Sequence, residues 1–275
     1  MSSARIRALP RAGESADDGP FLSVLIPALN EDKTIDEVVA AVLAAPVSLE
    51  VILIDDGSTD GTWAAMQRWA EHDRVQALRH HTQRGKGAAI RTALTLARGK
   101  VILVQDADME YDIGEYPRLL DPIIKGRAHV VYGTRVFASH TAYSYWYVMG
   151  NKGVTTAANL LFNVYLSDIE TAYKVFPREA ALAMNLEARG FEIDPEITAK
   201  LLRMGYRIHE VPVDYVARSR DEGKKLRPSD GVKALRVLLR NRFWRSDHIA
   251  PPVFVTRRVP AVAADMSASP ARKAS

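Results

Sequence analysis

Two short acidic strings carry the chemistry most open to argument. Asp106-Ala107-Asp108 follows an apolar run, Val101–Val104, of strand length, and an extended segment puts both carboxylates on one side. Two like charges that close need a compensating cation. A hard divalent ion, Mg2+ or Mn2+, bridging them and a ligand's pyrophosphate would supply it through oxygen donors alone. Glu110 adds a third oxygen donor if the chain stays extended. There is no cysteine and no paired-histidine spacing, so thiolate zinc and a cysteine nucleophile are excluded. A solvated acidic turn would carry the same D-x-D letters. Asp55-Asp56-Gly57-Ser58 follows a second buried run, residues 50–54. Its Asp-Gly and Ser suit a turn, and Ser58 or Asp60 suits the cap of the next helix. Asp55 and Asp56, adjacent at a strand end, repel each other and are less well explained that way.

Other segments offer cations and bases. Arg84-Gly85-Lys86-Gly87 opens a helix, where exposed backbone N–H groups and Lys86 can meet phosphate or sugar oxygens; a plain helix start is the alternative. It is not a P-loop, because the spaced glycines and the GK[ST] ending are missing. Arg135, Lys152 and the group Arg218, Arg220, Lys224 and Lys225 are available to hold a phosphate, against the alternative of a solvated basic loop. Asp194-Pro195-Glu196 precedes a helix and offers a general base or merely helix-end carboxylates. The histidines are scattered, apart from adjacent His80 and His81, and are not read as catalytic.

These segments need elements to carry them. Residues 21–27, 50–54, 75–80, 101–105 and 129–132 read as strands; 31–45, 62–72, 87–97 and 113–125 read as helices, the first with Ile35, Val38, Val39 and Val42 at helical spacing. This alternation predicts an α/β fold with a mostly parallel sheet covered by helices, in which ligands bind beyond the carboxyl ends of the strands. Segments 27–31, 55–58 and 106–108 sit at three such ends. Further on, 151–162, 177–186, 195–204 and 230–243 read as helices, 208–215 as a strand, 137–147 as an aromatic-rich loop or short helix, and 218–227 as a basic loop.

Composition bounds the rest. The 275 residues are 47% hydrophobic and 25% charged, which suits one α/β domain with a sizeable core. A net charge of +4 is too mild to call for nucleic acid, and no such partner is expected. No apolar run reaches the length of a membrane span. Residues 1–20 lack an apolar signal core and read as a disordered arm; residues 247–275, rich in Pro, Ala, Ser and Arg, read as a disordered tail. Between them lie an α/β domain, 21–215, and a basic loop with an amphipathic helix, 216–246.

In order and spacing, LIPALNE (25–31), ILIDDGSTDGT (52–62), RGKGAAIRTAL (84–94), VQDADMEY (104–111) and GTR (133–135) resemble the family 2 inverting glycosyltransferases. Five motifs in register make this specific where one would be weak. The resemblance implies the GT-A fold over residues 21–215: a Rossmann-like three-layer sandwich with a mostly parallel central sheet, followed here by a C-terminal helix. It implies metal-dependent transfer of a sugar from a nucleotide-sugar donor. Pro27, Glu31 and Asp55 would surround the nucleobase and ribose, with Ala28 and Asn30 in the same binding segment. Asp56 would lie near the donor with Lys86, and Asp106 and Asp108 would hold Mg2+ or Mn2+ on its diphosphate, Asp108 counting also as catalytic. In the polyprenyl-phosphate branch a Gln two residues after the D-x-D also binds metal. Here that position is Glu110, an oxygen donor that carries charge, which bears on metal preference.

LSDIETAYKVFPRE (166–179), FEIDPEITAKLLRMGYRIHEVPVDY (191–215) and RSRDEGKKL (218–226) are similar to the dolichyl- and polyprenyl-phosphate sugar synthases of that family. These move a sugar from GDP-mannose, UDP-glucose or a similar donor to a lipid monophosphate. By this resemblance Arg135 touches the acceptor phosphate; of the other available cations, Arg218 and Lys224 are candidates to clamp acceptor or donor, and Lys152 is a further candidate. A phosphate is already an anionic nucleophile and needs cations and in-line geometry rather than a strong base. A hydroxyl acceptor on a glycan, lipid or metabolite would need a base, with Asp194 or Glu196 the candidates. A dead transferase fold serving as a nucleotide-binding scaffold is a third reading, against which the intact Asp55, Asp56, Asp106 and Asp108 argue. A lipid acceptor implies a peripheral enzyme on the cytoplasmic face of a membrane, with a homo-oligomer left open. The stripe Val232, Leu235, Leu239 and Phe243, flanked by Lys233, Arg236 and Arg240, fits an interfacial helix or an ordinary core helix. Tyr143, Tyr145, Trp146 and Tyr147 fit a headgroup-level loop or core aromatics.

Overall fold

The computed structural model describes residues 19–136, 140–141, 145–216 and 228–251. The N-terminal arm, most of the C-terminal tail and the whole basic loop with Arg218, Arg220, Lys224 and Lys225 lie outside them, as does Tyr143.

The first half alternates as expected: β1 (Leu22–Ala28), α1 (Ile35–Ala44), β2 (Leu49–Asp55), α2 (Thr62–Trp69), β3 (Val75–Arg79), α3 (Lys86–Leu94) and β4 (Val101–Val104). A single 3-10 turn leads into α4 (Tyr116–Ile124) and β5 (Val130–Thr134). The second half comprises β6 (His140–Thr141), α5 (Tyr145–Phe162), β7 (Lys174–Pro177), α6 (Arg178–Ala183), α7 (Ile193–Arg203), β8 (Ile208–Pro212), β9 (Tyr215–Val216) and α8 (Pro228–Asn241).

Seven strands form one sheet in the order β3-β2-β1-β4-β7-β5-β8, and β6 pairs with β9 separately. β1 and β2 are almost unbroken apolar runs because both faces are covered. Leu22, Val24 and Ile26 of β1 pack with Val38 and Val42 of α1, Met66 of α2 and Leu119 of α4. Leu25 of β1 and Ile52 and Ile54 of β2 point the other way, toward Ile90 of α3 and Ile193 and Ile197 of α7. This is the expected three-layer arrangement.

Two local expectations need correction, and one left open is decided. β7 is an unforeseen strand that runs antiparallel between β4 and β5. It is only four residues long and begins with a charged residue, Lys174, so it gave no apolar strand signal. The expected strand 208–215 is divided, because β8 stops at Pro212, which has no N–H to extend a ladder. The stripe Val232, Leu235 and Leu239 of α8, with Phe243 just past its end, does not face the core. Ala234 and Leu238 are buried against α5 and α7, whereas Val232, Leu239 and Phe243 are 63%, 57% and 81% exposed.

Candidate active site

β2, β1 and β4 are adjacent and parallel, so the segments that leave their carboxyl ends share one edge. Short bonds join them. Asp56 N donates to Ala28 O at 2.8 Å, Gln105 N to Leu25 O at 3.0 Å, and Thr34 Oγ1 to Ala107 O at 2.6 Å. The three strand ends singled out in the sequence thus form one continuous rim.

On this rim Pro27 is partly buried and Ala28 buried. Asn30 is exposed at φ 53°, a left-handed turn position that Asn tolerates. Its Oδ1 accepts from Thr59 N at 2.9 Å and its own N donates to Ser58 Oγ at 2.9 Å. Glu31 N donates to Thr62 Oγ1 at 2.8 Å, while the Glu31 carboxylate accepts from Thr34 Oγ1 at 3.4 Å. Ser58 is therefore spent on the neighbouring turn, and the start of α2 falls to Asp60, which accepts from Thr62 N at 3.0 Å. Burial pushes the Asp60 carboxyl up, but the Thr62 bonds outweigh it and hold it below the usual carboxylate range.

The adjacent acids have separate partners, which answers their mutual repulsion. Asp55 accepts from Ser58 N at 2.9 Å and lies 2.9 Å from Arg79 Nε, its register partner on β3. Asp56 accepts from Arg84 N at 3.0 Å and Gly85 N at 2.7 Å, with His80 Nδ1 at 2.7 Å. His80 Nε2 meets Thr92 Oγ1 at 3.0 Å. Asp56 and His80 are both buried, so their place is beneath the rim, where they fasten the loop that delivers Lys86. The backbone of that loop is not the exposed anion cradle the sequence suggested. Arg84 N and Gly85 N are spent on Asp56, and Ala88 N donates to Arg189 O at 3.1 Å. Gly85, at φ 101°, approaches Arg189 so closely that a Cβ would lie 2.3 Å from its carbonyl oxygen.

What the loop does deliver is the Lys86 side chain. Lys86 Nζ lies 2.7 Å from Asp106 Oδ1 and 3.8 Å from Asp194 Oδ2. Burial works against its charge, but Asp106 and Asp194 more than compensate and hold the ammonium above its ordinary pKa. Asp194 in turn lies 2.7 Å from Lys174 Nζ, which is fully buried and also donates to Thr171 O. Asp106, Lys86, Asp194 and Lys174 thus form a line of alternating charge running from β4 to β7.

The side-chain alternation expected beyond Asp106 fails. Met109 adopts φ 58°, which breaks the extended run, and Glu110 turns to accept from Tyr215 Oη at 2.8 Å. Asp108 accepts from Glu110 N at 3.3 Å. Among the described residues no three acidic or histidine side chains converge on a ready-made metal position. Glu110 instead belongs to an aromatic wall. Tyr111 packs with Tyr173 and Tyr215 at ring-centroid distances of 4.5 and 5.0 Å. Tyr116 Oη and Tyr173 Oη both donate to Gln105 Oε1, at 2.9 and 2.8 Å.

Arg135 leaves the end of β5 and is held from both sides. Its Nε and Nη2 donate to Asp168 at 2.6 and 2.9 Å, and its guanidinium lies 5.0 Å over the Tyr215 ring. Burial raises the Asp168 carboxyl, but Arg135 overrides this and holds it below the usual range. Lys152 is exposed on α5 and makes no ion pair among the described residues. Glu196 is taken up by other partners. It is fully buried, lies 2.6 Å from Lys200 Nζ, and accepts from Glu187 N and Ala188 N. Two residues along α7 turns it away from Asp194, so only Asp194 reaches the cleft side.

Asp168, Glu170 and Lys174 had no assigned role in the sequence reading. Their signal was a run of charges, D-x-E-x-x-x-K, inside a segment that is otherwise buried.

Residues 23–182 match the family described as Glycosyl transferase family 2. The polyprenol monophosphomannose synthase of Mycolicibacterium smegmatis is 30% identical over 205 residues, 71% of this chain and 77% of the relative. The undecaprenyl-phosphate mannosyltransferase of Micrococcus luteus is 29% identical over 212 residues, 73% of this chain and 85% of the relative. In fold, the chain is similar to the crystal structure of glucosyl-3-phosphoglycerate synthase from Mycobacterium tuberculosis in complex with Mn2+, UDP-glucose and phosphoglyceric acid. That likeness has a TM-score of 0.60 at 20% identity and covers 86% of each chain. With the motifs on one rim of a mostly parallel sheet and more than half the chain inside the family's match, the chain belongs to glycosyl transferase family 2 and is a glycosyltransferase.

Proposed function

We propose that this enzyme transfers one sugar, with inversion, from a nucleotide-sugar of the GDP-mannose or UDP-glucose type to a polyprenyl phosphate at a membrane surface. The observation that carries the reading is the continuity of the site. Asp106, Lys86, Asp194 and Lys174 follow one another as ion pairs, and the charge of Lys174 acts on Asp168, the partner of Arg135; this supports a donor diphosphate at the Asp106 end and an acceptor phosphate at the Arg135 end. The names of the two mannosyl-transferring relatives support the lipid phosphate.

The donor end suits a divalent ion. Mg2+ and Mn2+ are commonly held by one or two carboxylates plus substrate phosphates, not by an all-protein cage. Asp106 and Asp108 supply that much, and the Lys86 ammonium now stands where a cation is wanted. Bound there, Mg2+ or Mn2+ would neutralise charge on the departing diphosphate. The neighbouring solved structure with Mn2+ supports this choice of ion.

At the other end Arg135 has its Nε and Nη2 fixed by Asp168, which sets the plane of the guanidinium before any acceptor arrives. A phosphate oxygen held by the remaining Nη1 attacks the anomeric carbon. The bond from that carbon to the donor diphosphate breaks, and the nucleoside diphosphate leaves with the electron pair. No proton has to be removed from the nucleophile. This matters because Asp194 is committed to Lys174 and Glu196 to Lys200, so neither sequence-expected base is open for a hydroxyl acceptor.

One feature supports work at a membrane surface. The exposed stripe of α8 carries Val232, Leu235 and Leu239, continued by Phe243 just past its end, with exposed Lys233, Arg236 and Arg240 beside it, an arrangement suited to anionic lipid. Among the described residues no helix is long and apolar enough to cross a membrane. A peripheral place on the cytoplasmic face follows from the same reading.

The test is a panel of nucleotide sugars incubated with a short polyprenyl phosphate and Mg2+ or Mn2+, following label into the lipid phase. Label in lipid from one donor is the expected result. Transfer to hydroxyl acceptors alone would overturn the reading.

A further inference from the structure

Glu170 lies in the turn between α5 and β7, and that turn is fixed by its backbone. Ser167 N and Asp168 N donate to the Glu210 carboxylate at 2.9 and 3.3 Å, Ile169 N to Thr155 Oγ1 at 3.3 Å, and Glu170 N to Asp168 Oδ1 at 3.1 Å. The side chain takes no part in this scaffold. Among the described residues Glu170 Oε1 has no hydrogen-bond partner although it is buried, while the residue as a whole keeps some exposure. The contrast with its neighbours is plain: Asp168, Asp194 and Asp106 are each ion-paired, to Arg135, Lys174 and Lys86.

The charged groups facing Glu170 come from every element around it: Asp194 on α7, Lys174 on β7, Asp168 in its own turn and Arg135 beyond β5. Burial pushes its carboxyl up first, Asp194 and Asp168 add to this, and Lys174 and Arg135 only partly offset it, so it titrates at about 7. A protonated carboxyl needs an oxygen to donate to, and among the described residues no oxygen serves Oε1. The cations that face the same carboxyl are those that would draw an anion in.

We propose that Glu170 is a binding residue for the acceptor's phosphate, its protonated carboxyl donating a hydrogen bond to a phosphate oxygen held beside Arg135. This rests on the phosphate-acceptor reading given above. An O–H donor to an anionic oxygen makes a short, strong bond, whereas the ionised carboxylate would repel the same phosphate. Glu170 therefore makes acceptor binding depend on a proton that the protein, not the phosphate, carries.

The experiment measures binding of inorganic phosphate and of a short-chain polyprenyl phosphate to the full chain by calorimetry between about pH 6 and pH 8.5, a range chosen to span the titration. Wild type is compared with Glu170→Gln and Glu170→Ala. A phosphate monoester loses its own second proton near pH 6, so the difference between wild type and variant is what reads Glu170. Glu170→Gln keeps a neutral donor. It should bind like wild type at the acid end and lack the loss of about tenfold per pH unit that wild type shows above pH 7. Glu170→Ala should weaken binding about tenfold at the acid end. Identical pH dependence in wild type and Glu170→Gln overturns the proposal, as does failure of wild type to bind either phosphate. So does a transfer rate that rises with pH through 7 and is lost in Glu170→Gln, since that is the behaviour of a general base. If inorganic phosphate shows the expected difference but polyprenyl phosphate is never glycosylated, the Glu170 proposal stands and the lipid-acceptor reading alone fails.

Discussion

Lys86 Nζ and Asp106 Oδ1 lie 2.7 Å apart, so the first carboxylate of the D-x-D is already neutralised by a side chain of the protein. Lysine and metal ion therefore compete for one carboxylate. Lys86→Ala should tighten Mn2+ binding to the donor-free protein by several-fold, while slowing sugar transfer through the loss of a cation beside the diphosphate. Calorimetric titration with Mn2+ and a transfer assay with donor check the two halves. Weaker Mn2+ binding in the variant would contradict the competition.

Asp106→Asn and Asp108→Asn should each reduce transfer by about a hundredfold or more, the scale on which groups that stabilise transition-state charge are felt. Removing divalent ions with a chelator should do the same to wild type, and Mg2+ or Mn2+ should restore it. Full activity after exhaustive chelation would remove the metal from the proposed mechanism. Glu110→Gln should cost far less, because the Glu110 carboxylate is engaged with Tyr215.

Arg135 and Asp168 share a bidentate, largely buried ion pair. Asp168→Asn keeps the shape but loosens the fork, so the acceptor KM should rise by about tenfold or more with little change in donor KM. Arg135→Lys should behave alike, since an ammonium cannot reproduce the planar fork. Steady-state kinetics with each substrate varied in turn separate these effects. A change confined to donor KM would move Arg135 away from the acceptor.

Lys174 and Asp194 are both buried, and each is the other's partner at 2.7 Å. Removing Asp194 leaves Lys174 without its ion-pair partner in the interior, and removing Lys174 leaves Asp194 only the longer contact with Lys86 at 3.8 Å; breaking such a buried pair costs about 3–5 kcal/mol. Lys174→Met and Asp194→Leu should each lower the denaturation midpoint strongly. The double variant should recover part of the loss, which a double-mutant cycle by chemical denaturation reads directly.

Glu170 also links pH to stability. Its folded-state carboxyl titrates at about 7, above the ordinary value of 4.5 that applies when unfolded. A raised value stabilises the folded state fully below the unfolded pKa, and that contribution is lost as pH rises through 7. Integrated over the shift, the loss is on the order of 3 kcal/mol. Thermal melts of wild type should therefore fall between pH 6 and pH 8 more than those of Glu170→Gln, with both measured in the same buffers.

The sequence alone determined the architecture and the rim. Strand runs such as Leu22–Ala28 and Leu49–Asp55 are apolar but for Ser23, Glu50 and the terminal Asp55, and a sheet covered on both faces accommodates that pattern. Parallel connections then oblige segments 27–31, 55–58 and 106–108 to meet at one edge, so their proximity was legible before any coordinates. What the tertiary structure decided was the job each side chain does there. Asp56 turns to His80 and the Lys86 loop, because a buried carboxylate gains most from N–H donors that have no other partner. Glu110 leaves the acidic pair because one left-handed residue, Met109, ends the alternation on which its placement rested. β7 escaped notice because its Lys174 interrupts the apolar pattern, and that lysine becomes intelligible only once Asp194, twenty residues later, is seen to lie 2.7 Å away. Local patterning reports which face of an element is buried; pairing between charges distant in sequence depends on how the elements pack, and the packing is a property of the whole chain.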